Sequence, residues 1–453
     1  MGVFVEGSEE VKTLWCSSDY LGLGARASVR DESRKALEKF TVGSCGPRGF
    51  YGTTISHLDL ERILADFLGT EESITYSDPT ATVVSVIPAF AKRGDVLLID
   101  SEANYGIQQG ARLSRSKVVW WEHNNMEDLE KHLRAVEKAD LEGGRGAGKG
   151  SEQRRFIVVE GLYANSGSLC KLPKVMQLAH SYKWRVILDD SLGFGVLGPT
   201  GKGTAERFGM TPSEGPHVTV GSLATTLGSV GGFCVGSREV VDHQRLSGVG
   251  YCFSASAPPY LCAAAGAALS ELRREPYLVG ELERKSQALH ESLVKALTGR
   301  FHVCSDPSSP TKHLKLVEGG KGKGARQGLA TPPRLRPPTS GAQGGLDTTG
   351  GSSIYKTPTS SILTHATMMS PTTQKIPALD SSTLTAISME ERELDLMVAR
   401  AVEKGVLLSR SHAIPGEPFS SRPTLKFHVT LRHTDADVKK LVAALKDLSD
   451  HFL

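Results

Sequence analysis

Arg185 to Asp190 reads RVILDD, and Gly221 to Gly232 reads GSLATTLGSVGG. The first is a short, β-branched apolar run closing on two carboxylates, the pattern of a strand buried on both faces of a parallel sheet. Six more such runs flank it: SITYS from Ser73, DVLLID from Asp95, KVVWWEH from Lys117, RFIVVEG from Arg155, HVTVGS from His217 and GGFCVG from Gly231. Helical patterns separate them. In MEDLEKHLRAVEK, Met126 to Lys138, the residues Leu129, Leu133 and Val136 share one face. This alternation predicts an α/β fold with one large, mostly parallel sheet wrapped by helices. Further on, KHLKLV at Lys312–Val317, MEERELDLMVARAVEK at Met389–Lys404, LKFHVTL from Leu425 and a helix from Asp435 carrying Val438, Leu441, Val442 and Leu445 predict a smaller α+β C-terminal domain.

With 453 residues the chain can bury a large core. The expected division is an N-terminal segment at 1–50, a large domain at 51–270 and a small domain at 271–453. Two stretches stand apart in composition. LEGGRGAGKGSEQ, at 141–153, reads as a Gly-rich surface loop, and 318–388, with GGKGKGARQG and TPPRLRPPTSG, reads as a disordered insert. The net charge of +3 is slight and much of the basic excess sits in the inserts, so nucleic-acid binding is not indicated. Seven cysteines without a CxxC pair argue against zinc and against a disulfide framework, and the expectation is reduced, mostly buried thiols. No apolar run reaches the roughly 20 residues of a membrane span. Met1-Gly2 is followed by Glu6 where myristoylation wants Ser or Thr.

The second quoted stretch has the shape of a Gly-framed loop that presents a lysine to pyridoxal phosphate, which needs an amine for its Schiff base. Here the position is Thr225. Asp189, at the end of its strand, stands where a carboxylate can pair with a pyridinium nitrogen, or can simply cap the following turn. PRGFYGT, Pro47 to Thr53, reads as a Gly-hinged loop exposing Arg48, Phe50 and Tyr51, with Thr53 closing it. His57 reads as a polar contact at a helix start. Cys45 and Cys252 read as packing thiols. GPTGKG at Gly198–Gly203 lacks the GxxxxGK[ST] spacing of a phosphate loop and reads as a turn.

In order along the chain, WCSSDYLGLG near Trp15, GSCGPRGFYGT from Gly43, HLDLE from His57, RRFIVVEGLY from Arg154, DDSLGFGVLGPTGKG from Asp189 and DHQRLSGVGYCFSASAPP from Asp242 resemble the α-oxoamine synthases. Among them the likeness is to the non-catalytic long-chain-base subunits of serine palmitoyltransferase. The resemblance implies the fold type I of pyridoxal-phosphate-dependent transferases. It also places the family's site residues: the ring-stacking histidine falls at Asn104, the histidine of the family's DEAH at Leu192, the glycine of the phosphate turn YSDPTAT at Pro79, and the substrate-carboxylate arginine at Thr424, two positions from Arg422. Proline lacks an N–H donor for a phosphate.

The resemblance therefore implies no catalytic residue in this chain, with Asp189, Ser254 and Ser256 left as vestigial or in-trans cofactor contacts and the Arg48 loop reaching a partner's site. Pyridoxal 5'-phosphate is expected on the lysine of a catalytic partner, the long-chain-base subunit 2 of serine palmitoyltransferase, with L-serine and palmitoyl-CoA condensing to 3-ketosphinganine. An endoplasmic-reticulum membrane location, cytosolic face, follows from the family alone. The family's first subunit usually carries an N-terminal membrane helix, so either this chain is truncated or the anchor belongs to its partner. Two alternatives stay open: a self-sufficient α-oxoamine synthase homodimer using another lysine, with Lys202 nearest a family motif, and a regulatory scaffold without enzymatic partner.

Overall fold

A computed structural model describes residues 2–4, 10–142, 153–317, 381–411 and 422–452. The Gly-rich loop near 141–153 thus lies, at 143–152, outside the described residues, as does 318–380 of the long insert. The helix expected from Met389 begins earlier and runs Ser381–Glu403.

All seven predicted runs form one sheet: β3 (Glu72–Tyr76), β4 (Val96–Asp100), β5 (Lys117–Trp121), β6 (Arg155–Glu160), β7 (Arg185–Asp189), β8 (Val218–Ser222) and β9 (Gly232–Gly236), in the order β3-β9-β8-β7-β6-β4-β5. From β5 to β8 the pairing is parallel, and β9 runs antiparallel to both β8 and β3. Alternation splits the core between the two faces. Leu97, Ile99, Phe156, Val158 and Ile187 pack toward the helices Pro79–Phe90 and Tyr105–Ser114, whereas Val96, Leu98, Ile157, Val159, Val186 and Leu188 pack toward Leu129, Leu133, Val175 and Leu178. Polar strand ends then gather at one edge, where Asp100, Glu160 and Asp189 end β4, β6 and β7. In open α/β sheets this carboxyl edge is where ligands bind.

The smaller sheet joins β10 (Phe301–Val303), β11 (Thr311–Leu316), β13 (Ser409–Arg410) and β14 (Leu425–His428) in the order β10-β11-β14-β13. The N-terminal β1 (Gly2–Phe4) and β2 (Val11–Leu14) extend toward it, because β2 pairs in parallel with β12 (Val406–Leu407). Trp15, fully buried, stacks on His433 with ring centroids 3.7 Å apart. The start of the chain is thus built into the small domain. Among the described residues, no helix is long and apolar enough to cross a membrane.

Candidate functional site

The carboxyl edge brings Asn104, Glu160 and Asp189 together. Asn104 caps the helix Tyr105–Ser114, its side-chain carbonyl accepting from Ile107 N–H at 3.1 Å. Its amide donates to Asp189 Oδ2 at 2.9 Å, and its backbone N–H donates to Glu160 Oε1 at 2.7 Å. Asp189 Oδ1 accepts from Ser191 N–H at 3.1 Å. Glu160 stands opposite Asp189 in the β6–β7 register and is buried, and burial first, then the charge of Asp189, pushes its carboxyl up to about 8. The carboxylate that would meet a pyridinium nitrogen is therefore already occupied from within the chain. Its neighbour Asp190 serves the fold, accepting Thr204 N–H at 2.7 Å and Thr204 Oγ1–H at 2.5 Å.

At the turn expected to meet the phosphate, the helix Pro79–Phe90 starts with a proline, and Asp78 caps it by accepting Ala81 N–H at 2.7 Å. A helix N-terminus attracts anions through free N–H groups and its dipole. Here the chain's own carboxylate takes that place, so an incoming phosphate meets like charge and one donor fewer. Thr225, half-buried, turns its hydroxyl to Ser222 Oγ at 3.1 Å. Leu192 packs against the large apolar core. A pyridoxal phosphate held through position 225 does not fit this donor set: Thr225 has no amine, the turn expected to meet the phosphate carries the Asp78 carboxylate, and Asp189 already accepts from Asn104.

One expectation about the Pro47–Thr53 loop and one about Ser256 need correction. Arg48 is not exposed. It is 6% exposed and forms a bidentate pair with Glu61 at 2.7 and 3.0 Å, with further bonds to Thr75 Oγ1 at 2.7 Å and Thr53 Oγ1 at 3.0 Å. Its guanidinium also lies 5.4 Å from the Tyr251 ring centroid. A planar fork with five donors suits this convergence, and burial requires that each be answered. Ser256 is likewise spent: its hydroxyl faces Gly46 O and Gly52 O, both at 2.7 Å, and its N–H donates to Gly46 O at 2.9 Å. The loop must be glycine at 52, where a Cβ would sit 1.8 Å from Gly46 O. What the loop does expose is its aromatics, Phe50 at 70% and Tyr51 at 96%; Phe253, two residues from the Ala255 that bridges Pro47, is 80% exposed.

Ser254 remains half-buried, its hydroxyl 3.4 Å from Ser77 Oγ. Cys45 is exposed, contrary to its reading as a packing thiol, and has φ of 57°. All seven cysteines are free. His57 does start a helix, its Nδ1 accepting from Thr54 N–H at 3.1 Å and its Nε2 meeting Ala257 O at 2.8 Å. In the small domain Thr424 Oγ1 bonds His313 Nδ1 at 2.8 Å, while Arg422 pairs with Glu390 and is drawn off the site. Lys426, on the same strand face as Thr424, reaches Ala164 O at 3.4 Å, and burial lowers its pKa against the opposing pull of Glu160. Sequence reasoning missed Glu160 and Lys426. The terminal glutamate of RFIVVEG carried a signal, as a second carboxylate at a strand end. Lys202 lines a separate cleft of about 420 Å³ with Asp66, Phe67, Thr200, Arg273 and Pro276.

The chain belongs to the aminotransferase class I and II family, whose model matches residues 10–310. It is 42% identical over 311 residues to serine palmitoyltransferase 1 of Dictyostelium discoideum, covering 68% of this chain and 63% of that protein. It is 40% identical to long chain base biosynthesis protein 1 of Arabidopsis thaliana over 69% of this chain and 62% of that one, and 38% identical to serine palmitoyltransferase 1 of Saccharomyces cerevisiae over 66% and 54%. The chain thus spans about three-fifths of the length of these curated relatives. In fold it is similar to the Sphingomonas wittichii serine palmitoyltransferase, with a TM-score of 0.73 and 20% identity over 100% of this chain and 90% of that one. A solved SPT with PLP internal aldimine superimposes equally well, with a TM-score of 0.73 at 20% identity over the same shares of the two chains.

Proposed function

We propose that this chain is the cofactor-free subunit of a serine palmitoyltransferase, the enzyme that condenses L-serine with palmitoyl-CoA, releasing carbon dioxide and coenzyme A, to give 3-ketosphinganine. The relatives named serine palmitoyltransferase 1 and long chain base biosynthesis protein 1 support the assignment of the complex. One observation carries the subunit role: the loop position matched to the family's lysine holds Thr225, its hydroxyl turned to Ser222, while Asn104 bonds Asp189 and Asp78 caps the helix at the turn matched to the family's phosphate site. Pyridoxal phosphate, when bound, supplies the electron sink for the condensation, and in this reading a lysine-bearing homologue, the catalytic long-chain-base subunit 2, holds it.

This chain contributes a rigid face. Arg48, Thr53 and Ser256 lock the loop from within, so that Phe50 and Tyr51 are presented without loss of loop entropy on association. Exposed aromatics on a fixed backbone are the side chains that anchor interfaces. A place on the cytosolic face of the endoplasmic reticulum belongs to the same reading by family resemblance. The homodimer alternative draws no support from Lys202, whose cleft is lined by none of Asn104, Asp189 or Thr225.

The test is reconstitution. The chain, the lysine-bearing homologue and the two together are assayed for 3-ketosphinganine from serine and palmitoyl-CoA. Product from the pair alone, or far above that of the homologue by itself, supports the reading. Product from this chain alone overturns it, as does failure of the two to co-purify.

A further inference from the structure

We propose that Ser168, His123 and Asp100 form a second site in this chain, a serine nucleophile that accepts an acyl group from activated esters or thioesters. The three residues come from different turns at the carboxyl edge of the sheet: Asp100 ends β4, His123 follows β5, and Ser168 lies in the turn after β6. His123 Nδ1 lies 2.8 Å from Asp100 Oδ1, and His123 Nε2 lies 2.7 Å from Ser168 Oγ. None of them takes part in the subunit reading above, so the two stand or fall separately.

The protonation pattern follows from the neighbours. Asp100 is fully buried, and its oxygens accept Glu102 N–H at 2.9 Å, Asn124 N–H at 3.0 Å and Tyr163 O–H at 3.0 Å in addition to the imidazole. Three donors besides the histidine hold this carboxyl as an acceptor, so the proton on His123 is placed at Nδ1. Nε2 is then left with its lone pair toward Ser168 Oγ, the arrangement in which imidazole takes a hydroxyl proton. Orientation is fixed as well, because the Tyr163 ring stands edge-on to the imidazole at 4.5 Å. Ser166 Oγ, 2.9 Å from Ser168 Oγ, can donate to the nucleophile while Ser168 donates to the histidine. The side-chain amide of Asn124 donates to Leu169 O at 3.1 Å and lies 3.3 Å from His123 Nε2, farther than the 2.7 Å to Ser168 Oγ, so it helps fix the imidazole in its turn. Ser168 is half-buried and the His123 side chain is 24% exposed, so neither residue is sealed in the core.

The step balances without any further cofactor. Ser168 Oγ bonds to the acyl carbon as its proton passes to His123 Nε2, and the thiolate or alkoxide leaves with that proton. Water then attacks the seryl ester by the same route and releases the carboxylic acid.

The probe is a fluorophosphonate, which forms a Ser168 Oγ–P bond and loses fluoride with the serine proton. The full chain is labelled and read by intact mass and peptide mapping. One adduct on Ser168 is expected, absent in Ser168→Ala and slowed at least about a hundredfold in His123→Gln, the range of a lost general base. Ser168→Cys gives a second reading that leaves His123 in place: iodoacetamide should modify Cys at 168 ahead of the exposed Cys16 and Cys45. No adduct on Ser168, an adduct whose rate ignores His123→Gln, or a Cys at 168 no faster than the exposed thiols would each overturn the proposal and leave the three residues as a brace for the turn.

Discussion

Replacing Arg48 should destabilise the chain before it touches activity. Arg48→Met removes the guanidinium from a pair in which Glu61 is 8% exposed, leaving a buried carboxylate without its countercharge. Breaking a buried pair from one side costs about 3–5 kcal/mol. The lower end applies here, because Glu61 Oε1 keeps two donors, Thr75 N–H at 2.8 Å and Thr75 Oγ1 at 3.0 Å. About 3 kcal/mol is thus expected for Arg48→Met. Adding Glu61→Gln removes the stranded charge while its carbonyl still accepts from Thr75, so the double variant should recover at least about 1 kcal/mol of that loss, a coupling typical of residues in contact. Urea unfolding followed by the fluorescence of the four tryptophans measures both. An Arg48→Met variant within about 1 kcal/mol of the parent, well below the buried-pair range, would refute the reasoning. So would a double variant less stable than the single.

Phe50→Ala and Tyr51→Ala should behave in the opposite way, changing stability by less than about 0.5 kcal/mol as surface substitutions do; activity of the reconstituted pair should fall, and unchanged turnover at saturating partner would remove the loop from the shared site. Asp78→Ala should cost about 1 kcal/mol, the worth of an N-cap, seen as a lower urea midpoint; an unchanged midpoint would mean the Ala81 N–H bond does not hold in solution. Thr225→Lys alone should give no borohydride-reducible adduct with pyridoxal phosphate, since Asp78 and the Asn104–Asp189 bond remain; a mass shift on that variant would show the site more permissive than its donors indicate. Lys312 is buried, and desolvation pushes its amine down from 10.5 to about 7, so between those values the unfolded chain binds more protons and stability climbs with pH. Lys312→Met should flatten that climb, and identical pH slopes in parent and variant would contradict it.

The sheet was readable because its central strands are apolar runs set between polar punctuation and buried on both faces, as β4 and β6 show. Direction was harder: GGFCVG carries nothing that distinguishes the antiparallel β9 from its parallel neighbours. The family resemblance alone puts Thr225, Asn104 and Leu192 at motif positions. The contacts these residues make were not legible, since Asn104 and Asp189 are 85 residues apart in sequence and their bond exists only once β4 and β7 share a sheet. Arg48 shows the limit most plainly. A loop of Gly, Pro and aromatics reads as exposed, and its aromatics are, but the arginine turns inward to Glu61, thirteen residues on, and to Thr75. His123 and Ser168 passed unnoticed for the same reason, being 45 residues apart and joined by the turn after β6.

The most direct test of the subunit account is to purify this chain with its lysine-bearing homologue, reduce the complex with borohydride and weigh both chains intact. The account predicts the pyridoxyl mass on the partner alone. The same mass on this chain would contradict it, placing a Schiff-base lysine where Thr225, Asp78 and Asn104 leave no place for one.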